Sequence, residues 1–215
     1  FPGQGAQFVG MGRDLHDRFD SVKQLFRAVD DAIDAPLTRI ILDGPEEELR
    51  RTVNAQPAIL TVSLGCLLAW QETTSPELLP SPRYVAGHSL GEYTALVAAG
   101  SLEATDAALL VRERGRLMQE ASERVPSGMA AILGLDEATI ESVCQETGTE
   151  ISNVNCPGQV VISGERLALA RALDLSTARG AAKAVPLRVS GAFHSRLMAS
   201  AQQGMGDIIA RINLR

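Results

Sequence analysis

Residues 84–99, YVAGHSLGEYTALVAA, constrain the fold of this chain more than any other stretch. Tyr84-Val85-Ala86 is a short β-prone run, and Glu92 to Ala99 reads as a helix. Only Gly87 to Gly91 separate the two. The backbone must therefore leave a strand and enter a helix through one tight turn, which glycines on both sides of Ser89 permit. The turn presents Ser89 at a helix N-terminus, where free amides and the helix dipole favour negative charge. Strand, glycine turn with a central serine, and helix are the context of a nucleophile elbow in an α/β protein.

The chain has 215 residues, 45% of them hydrophobic, enough for one sizeable core or a core with a small satellite domain. Its net charge of −6 and 4% aromatic content argue against nucleic acid, which needs a basic footprint and stacking platforms. Cys66, Cys144 and Cys156 are odd in number and widely spaced, so neither a disulfide scaffold nor a metal site is expected, and a reducing, cytoplasmic setting fits. No secretory signal pattern is visible, although residue 1 does not look like a natural start. The apolar runs are read as interrupted by charge short of the ~20 residues of a membrane span, so no membrane partner is expected.

Along the chain, Phe1-Pro2-Gly3-Gln4-Gly5 reads as a loop leaving a strand upstream of residue 1. Apolar positions at Leu15, Phe19, Val22, Phe26, Val29 and Ile33 predict a helix over 14–33. A short helix begins at Glu46 after Gly44-Pro45. An apolar helix is predicted over 57–72 behind Gln56-Pro57, followed by a loop marked by Pro76, Pro80 and Pro82. A long helix is predicted over 104–123. After Pro126 the pattern changes to strand (129–135), helix (136–146, Asp136 as N-cap), a hairpin or bent strand (150–163), helix (165–179) and strand (184–189). This is the split βαβ pattern of a ferredoxin-like domain. The expected fold is α/β: a large domain, 1–125 and 191–215, with a small α+β domain, 126–190, inserted into it.

A serine hydroxyl is a weak nucleophile until a base takes its proton and donors hold the developing oxyanion. The amide of Leu90, directly after Ser89, suits the second task. The base must come from three histidines. His88 adjoins Ser89 but points elsewhere on a sharp turn. His16 lies on an amphipathic helix in a surface or packing role. His194, in Gly191-Ala192-Phe193-His194-Ser195, follows a strand and precedes a helix, where α/β proteins gather function, and is taken as general base and then general acid. No acidic third member is evident, since Asp207 falls on a helix. Gln4 sits in a Gly-Gln-Gly loop, either as a second oxyanion donor or as an ordinary turn residue. Arg112, Arg114 and Arg116 share one helix; any of them could fork onto a carboxylate, and the default for each is a solvated helix face with i,i+4 pairing.

FPGQGAQ, TVNAQPAILTVS, GHSLGEYTALVAAG, RERGRLMQEA, NVNCPGQVVISG and GAFHS occur in the order and spacing of the malonyl-CoA:acyl carrier protein transacylases of fatty acid synthesis, which are related to the acyltransferase domains of polyketide synthases. The resemblance covers essentially the whole chain. It implies an α/β-hydrolase-like large domain with an inserted ferredoxin-like small domain. It implies Ser89 as acyl acceptor, His194 as catalytic histidine and the Gln4 and Leu90 backbone amides as oxyanion hole. It also implies that Arg114 binds the malonyl carboxylate and that Met118 lines the same pocket. Phe193 stands where methylmalonyl-using members tend to have a smaller residue, which implies malonyl as substrate. No cofactor is implied, and a carrier protein is the expected partner of a monomeric enzyme. The family's first strand, its last strands and the residue that orients the histidine are expected to lie outside the sequence. The alternatives are a serine hydrolase such as an esterase or patatin-like lipase, a polyketide synthase domain, and a scaffold that kept the fold without the chemistry.

Overall fold

The computed structural model describes residues 1–78 and 82–212. The predicted loop proline Pro80 lies outside the described residues. The chain is an α/β protein that divides into two compact units, Phe1–Arg116 with Asp207–Arg215, and Leu117–Gly206.

The larger unit begins with a loop and then α1 (Arg13–Arg18), α2 (Asp20–Ile33), α3 (Leu37–Asp43) and α4 (Glu46–Arg50). The single helix expected over 14–33 is thus two, parted at Phe19, whose φ of −113° and ψ of 122° are extended. Apolar spacing reports the buried face, here Val22, Phe26, Val29 and Ile33, and not the continuity of backbone hydrogen bonds. Next comes α5 (Thr52–Thr73), which starts five residues before the predicted 57. The expectation placed Pro57 at the first turn, where its missing N–H costs nothing. It lies inside the helix, so one bond to the Val53 carbonyl is forgone.

The expectation that charge interrupts every apolar run fails in the same helix. No charged residue occurs between Arg51 and Glu72. By length and composition α5 could cross a membrane, yet 67% of its most apolar window is buried within the protein, as for a core helix. Asn54, Gln56 and Thr61 are among its buried residues. α6 (Gly91–Ala98), α7 (Ala104–Arg124) and α10 (Ala199–Ile209) stand at or near their predicted positions, α7 and α10 each contributing to both units.

The smaller unit holds β1 (Ser127–Leu133), α8 (Glu137–Thr147), β2 (Glu150–Cys156), β3 (Gln159–Glu165), α9 (Arg166–Ala178) and β4 (Lys183–Pro186). All pairings are antiparallel, in the order β2-β3-β1-β4. Asp136 caps α8 as expected, accepting the Thr139 amide at 2.8 Å. Strand alternation sends Ala130, Ile132, Val160 and Ile162 to one face, against α8 and α9. Met129 and Val161 turn to the other face, where Met118, Ala121, Phe193, Met198 and Ala201 cover them. The sheet is therefore buried on both sides, and the second cover includes the residue next to His194.

Candidate active site

The larger unit carries the elbow. Residues 84–87 are extended but form no assigned strand, because their pairing is confined to one residue: the Phe1 nitrogen donates to the Ala86 carbonyl at 2.7 Å, and the His88 amide to the Phe1 carbonyl at 3.0 Å. That pattern is one rung of a parallel ladder. Ser89 has φ 54°, in the left-handed region that non-glycine residues avoid. A β-carbon on Gly87 would lie 1.9 Å from the Gly91 carbonyl carbon, and one on Gly91 would lie 2.4 Å from the Phe1 oxygen. Both positions must be glycine for the turn to close.

The amides of Gly91, Glu92 and Tyr93 are consumed locally, donating to the carbonyls of His88, Ser89 and Leu90 at 3.0, 3.2 and 3.0 Å. The amides of Leu90 and Gln4 donate to no other backbone group among the described residues. The Gln4 loop lies against the elbow, since a β-carbon on Gly3 would be 2.5 Å from His88 Nδ1. The Gln4 side chain turns away and donates to Thr52 Oγ1 at 3.3 Å. Any donor function of Gln4 toward Ser89 therefore falls to its backbone.

Of the three arginines, Arg114 is the one that bonds to the serine hydroxyl. Its Nη2 donates to Ser89 Oγ at 3.0 Å and its Nη1 to Gln56 Oε1 at 2.8 Å. Arg116 is held by Glu113, with Nε donating to Oε2 at 2.8 Å, and a second contact pairs Arg116 Nη2 with Glu113 Oε1. That pairing lowers the Glu113 carboxyl pKa. Arg112 has a buried Nη1 with no acceptor. Arg114 has no carboxylate partner among the described residues. Burial lowers its pKa, while Tyr93 and Glu92 oppose the shift. The Tyr93 phenol is itself raised by burial against the pull of Arg114. A partly desolvated guanidinium with no carboxylate in ion-pair contact among the described residues is a ready site for an anion.

Gln56 escaped sequence reasoning. It is fully buried on an apolar helix. The available signal was an amide immediately before a helix-interior proline, where burial is expensive unless the group is bonded. Its place beside Arg114 follows from helix packing: a β-carbon on Gly115 would sit 2.6 Å from the Thr52 carbonyl oxygen, so α7 meets the start of α5 backbone to backbone.

His194, Phe193 and Met118 belong to the smaller unit. His194 does not follow a strand directly: β4 ends at Pro186, and His194 lies in a turn before a short 3-10 helix, Arg196–Met198. Its φ of 57° matches Ser89 in strain, and its side chain is exposed. Phe193 and Met118 are 5% and 6% exposed and share one apolar cluster. His16 is a packing residue, as expected, with its ring centroid 5.3 Å from that of Phe26. No group of three potential metal ligands occurs among the described residues.

A strained serine at the head of a helix, with a buried cation on its hydroxyl, is the arrangement of an acyl-transfer site. Comparison with known proteins agrees. The acyl transferase domain model matches residues 1–215. The malonyl CoA-acyl carrier protein transacylase of Bacillus subtilis is 42% identical over 220 residues, spanning 100% of this chain and 68% of that protein. Its Escherichia coli counterpart is 42% identical over 216 residues, spanning 99% and 69%. Among solved structures, an acyl carrier protein S-malonyltransferase from Vibrio cholerae superposes with TM-score 0.92 at 39% identity, covering 100% of this chain and 70% of that one. A type II polyketide synthase acyl-carrier protein in complex with its malonyl-transacylase gives TM-score 0.93 at 41% identity, with coverage of 100% and 70%. The chain belongs to the malonyl CoA-acyl carrier protein transacylase family.

Proposed function

We propose that this chain moves a malonyl group from malonyl-CoA to the phosphopantetheine thiol of an acyl carrier protein, through a malonyl ester on Ser89. The observation that carries the reading is the Arg114 guanidinium, bonded to Ser89 Oγ and Gln56 Oε1 and ion-paired with no carboxylate among the described residues. In a malonyl ester the free carboxylate lies two C–C bonds of about 1.5 Å beyond the ester carbon. A guanidinium 3.0 Å from Oγ is within reach of that carboxylate after a small swing. Binding of the substrate acid takes the guanidinium off Oγ and leaves the hydroxyl to its base.

The steps follow from the side chains. His194 accepts the Ser89 proton as Oγ attacks the thioester carbonyl. The Leu90 and Gln4 amides hold the oxyanion. The carbon–sulfur bond breaks, and His194 returns the proton to the departing CoA sulfur. The carrier thiol then gives its proton to His194 and attacks the malonyl ester, and as the ester carbon–oxygen bond breaks His194 passes that proton to Ser89 Oγ, which leaves as the neutral alcohol. Proton and acyl transfers account for every step, so neither metal nor cofactor takes part. The family resemblance implies Met118 and Phe193 as acyl-pocket residues, and a ring at position 193 as a selector against a 2-methyl group. The four-stranded order β2-β3-β1-β4 with two helices supports a ferredoxin-like small domain, and the family resemblance implies an α/β-hydrolase-like large domain around it. The carrier protein in the related complex supports a carrier protein as partner. The enzyme works as a cytoplasmic monomer.

The test is intact-mass analysis after incubation with malonyl-CoA, followed by addition of carrier protein. Ser89 gains one malonyl group, the adduct persists in water, and the carrier thiol discharges it. Rapid discharge by water alone would identify a hydrolase, and no adduct in the wild type, or an unchanged one in Ser89→Ala, would remove Ser89 from the chemistry.

A further inference from the structure

We propose that Glu150 is a positioning residue for His194, acting through Arg196, and that it governs the turnover of malonyl transfer rather than affinity for malonyl-CoA. The inference rests on the reading of His194 as the base for Ser89. His194 occupies a φ of 57°, a conformation that persists in a histidine only where the surroundings fix it.

The bonds that fix it can be traced. Upstream, the Ala192 amide donates to Ser127 Oγ at 3.2 Å. Across the turn, the Ser195 hydroxyl donates to the Ala192 carbonyl at 2.7 Å, and Ser195 Oγ accepts the Leu197 amide at 3.3 Å. Downstream stands Glu150. Its Oε2 accepts the Arg196 backbone amide at 3.0 Å, and its Oε1 accepts Arg196 Nη1 at 2.7 Å. Arg196 Nη2 also reaches the Gly148 carbonyl at 3.4 Å. One carboxylate thus grips both the backbone and the side chain of the residue two places beyond His194.

Glu150 is the first residue of β2 and pairs with Ser163 of β3, so the turn is anchored to the sheet. The two bonds differ in weight. The Arg196 side chain is 62% exposed, and a solvated ion pair contributes little. The amide bond is charge-assisted and ends on backbone, which has no freedom to swing away. Without it, the segment that follows His194 loses its charge-assisted backbone tie to β2. A general base displaced by a fraction of an ångström still lets substrate bind but transfers its proton poorly.

The experiment measures malonyl transfer to a carrier protein by the full chain and its variants, with melting temperature as a folding control. Glu150→Ala is expected to lower kcat about tenfold while KM for malonyl-CoA stays within about twofold. Arg196→Ala keeps the backbone bond and is expected to retain kcat within about twofold, and Glu150→Gln, which keeps an acceptor, within about threefold. Wild-type kcat in Glu150→Ala, or an equal loss in Arg196→Ala, overturns the proposal. His194→Ala separates the two ideas. If it transfers malonyl at the wild-type rate, His194 is not the base. If it is inactive while Glu150→Ala is unimpaired, only the positioning role fails. Where Glu150→Ala does not fold, Glu150→Asp is read the same way: it keeps the charge but is one methylene too short to reach both donors of residue 196.

Discussion

Arg114→Ala tests the link between the geometry and the choice of acyl group. In the wild type the guanidinium spans Gln56 Oε1 and Ser89 Oγ at 2.8 and 3.0 Å, and burial has already stripped it of some solvent. Much of the cost of desolvating the cation is thus met before the substrate arrives, and a carboxylate that binds gains charge-assisted hydrogen bonds in return. Contacts of that kind contribute about 1.5–3 kcal/mol, or about 10- to 150-fold in rate. Acetyl-CoA has no carboxylate to lose, so its transfer is expected to change by less than about threefold. The ratio of kcat/KM for malonyl-CoA to that for acetyl-CoA is therefore expected to collapse by one to two orders of magnitude. The assay measures both substrates with one carrier protein, and Arg114→Lys serves as a partial rescue that keeps the charge without the planar fork. A malonyl-to-acetyl ratio in Arg114→Ala within threefold of wild type would refute the reasoning. Stability is expected to fall as well, by about 1–3 kcal/mol, because the buried Gln56 oxygen loses a donor.

Gly87→Ala places a methyl group 1.9 Å from the Gly91 carbonyl carbon, so malonylation of Ser89 is expected to be lost and the melting temperature to drop; a variant labelled at the wild-type rate would contradict the elbow geometry. Asp136 has its carboxyl pKa held below the ordinary value by the Thr139 amide and then the Thr139 hydroxyl. The cap therefore stabilises above the unfolded carboxyl pKa and is lost as pH falls through the folded one. Asp136→Ala is expected to lower the melting temperature near neutral pH but not in strong acid, and a deficit equal at both would rule out the cap. Alkylation followed by peptide mapping is expected to modify Cys156 before Cys66, which is also exposed but whose thiol pKa is raised by partial desolvation and then by Asp14, and before buried Cys144, whose thiol burial has raised. Early reaction at buried Cys144 would contradict the packing of α8.

The sequence made the elbow legible because glycine spacing around a serine reports a backbone need directly. The hairpin, α8 and α9 were equally open, since turn residues, an N-cap and strand alternation are local signals. The start of α5 and the break at Phe19 were hidden, because proline is tolerated inside a helix that packing holds together and apolar spacing survives a kink. Arg112, Arg114 and Arg116 were indistinguishable in one dimension. Only the third showed its surface role, through Glu113, and only the second faced α5 and the serine. Gln56, Glu150 and Ser127 lie far in sequence from the groups they hold, and no local pattern links them.

The meeting of α7 with α5 at Gly115 bears on how such an enzyme can change its preferences. Nothing but bare backbone separates Gly115 from Thr52 and Val53, and that contact places the guanidinium of the preceding residue. Acyl selectivity is then a property of how two helices touch as much as of the side chain that meets the substrate. A lineage that acquired one methyl group at residue 115 would lift the fork from the serine and loosen its discrimination, with every residue lining the pocket unaltered. Comparing pocket residues alone would miss the cause.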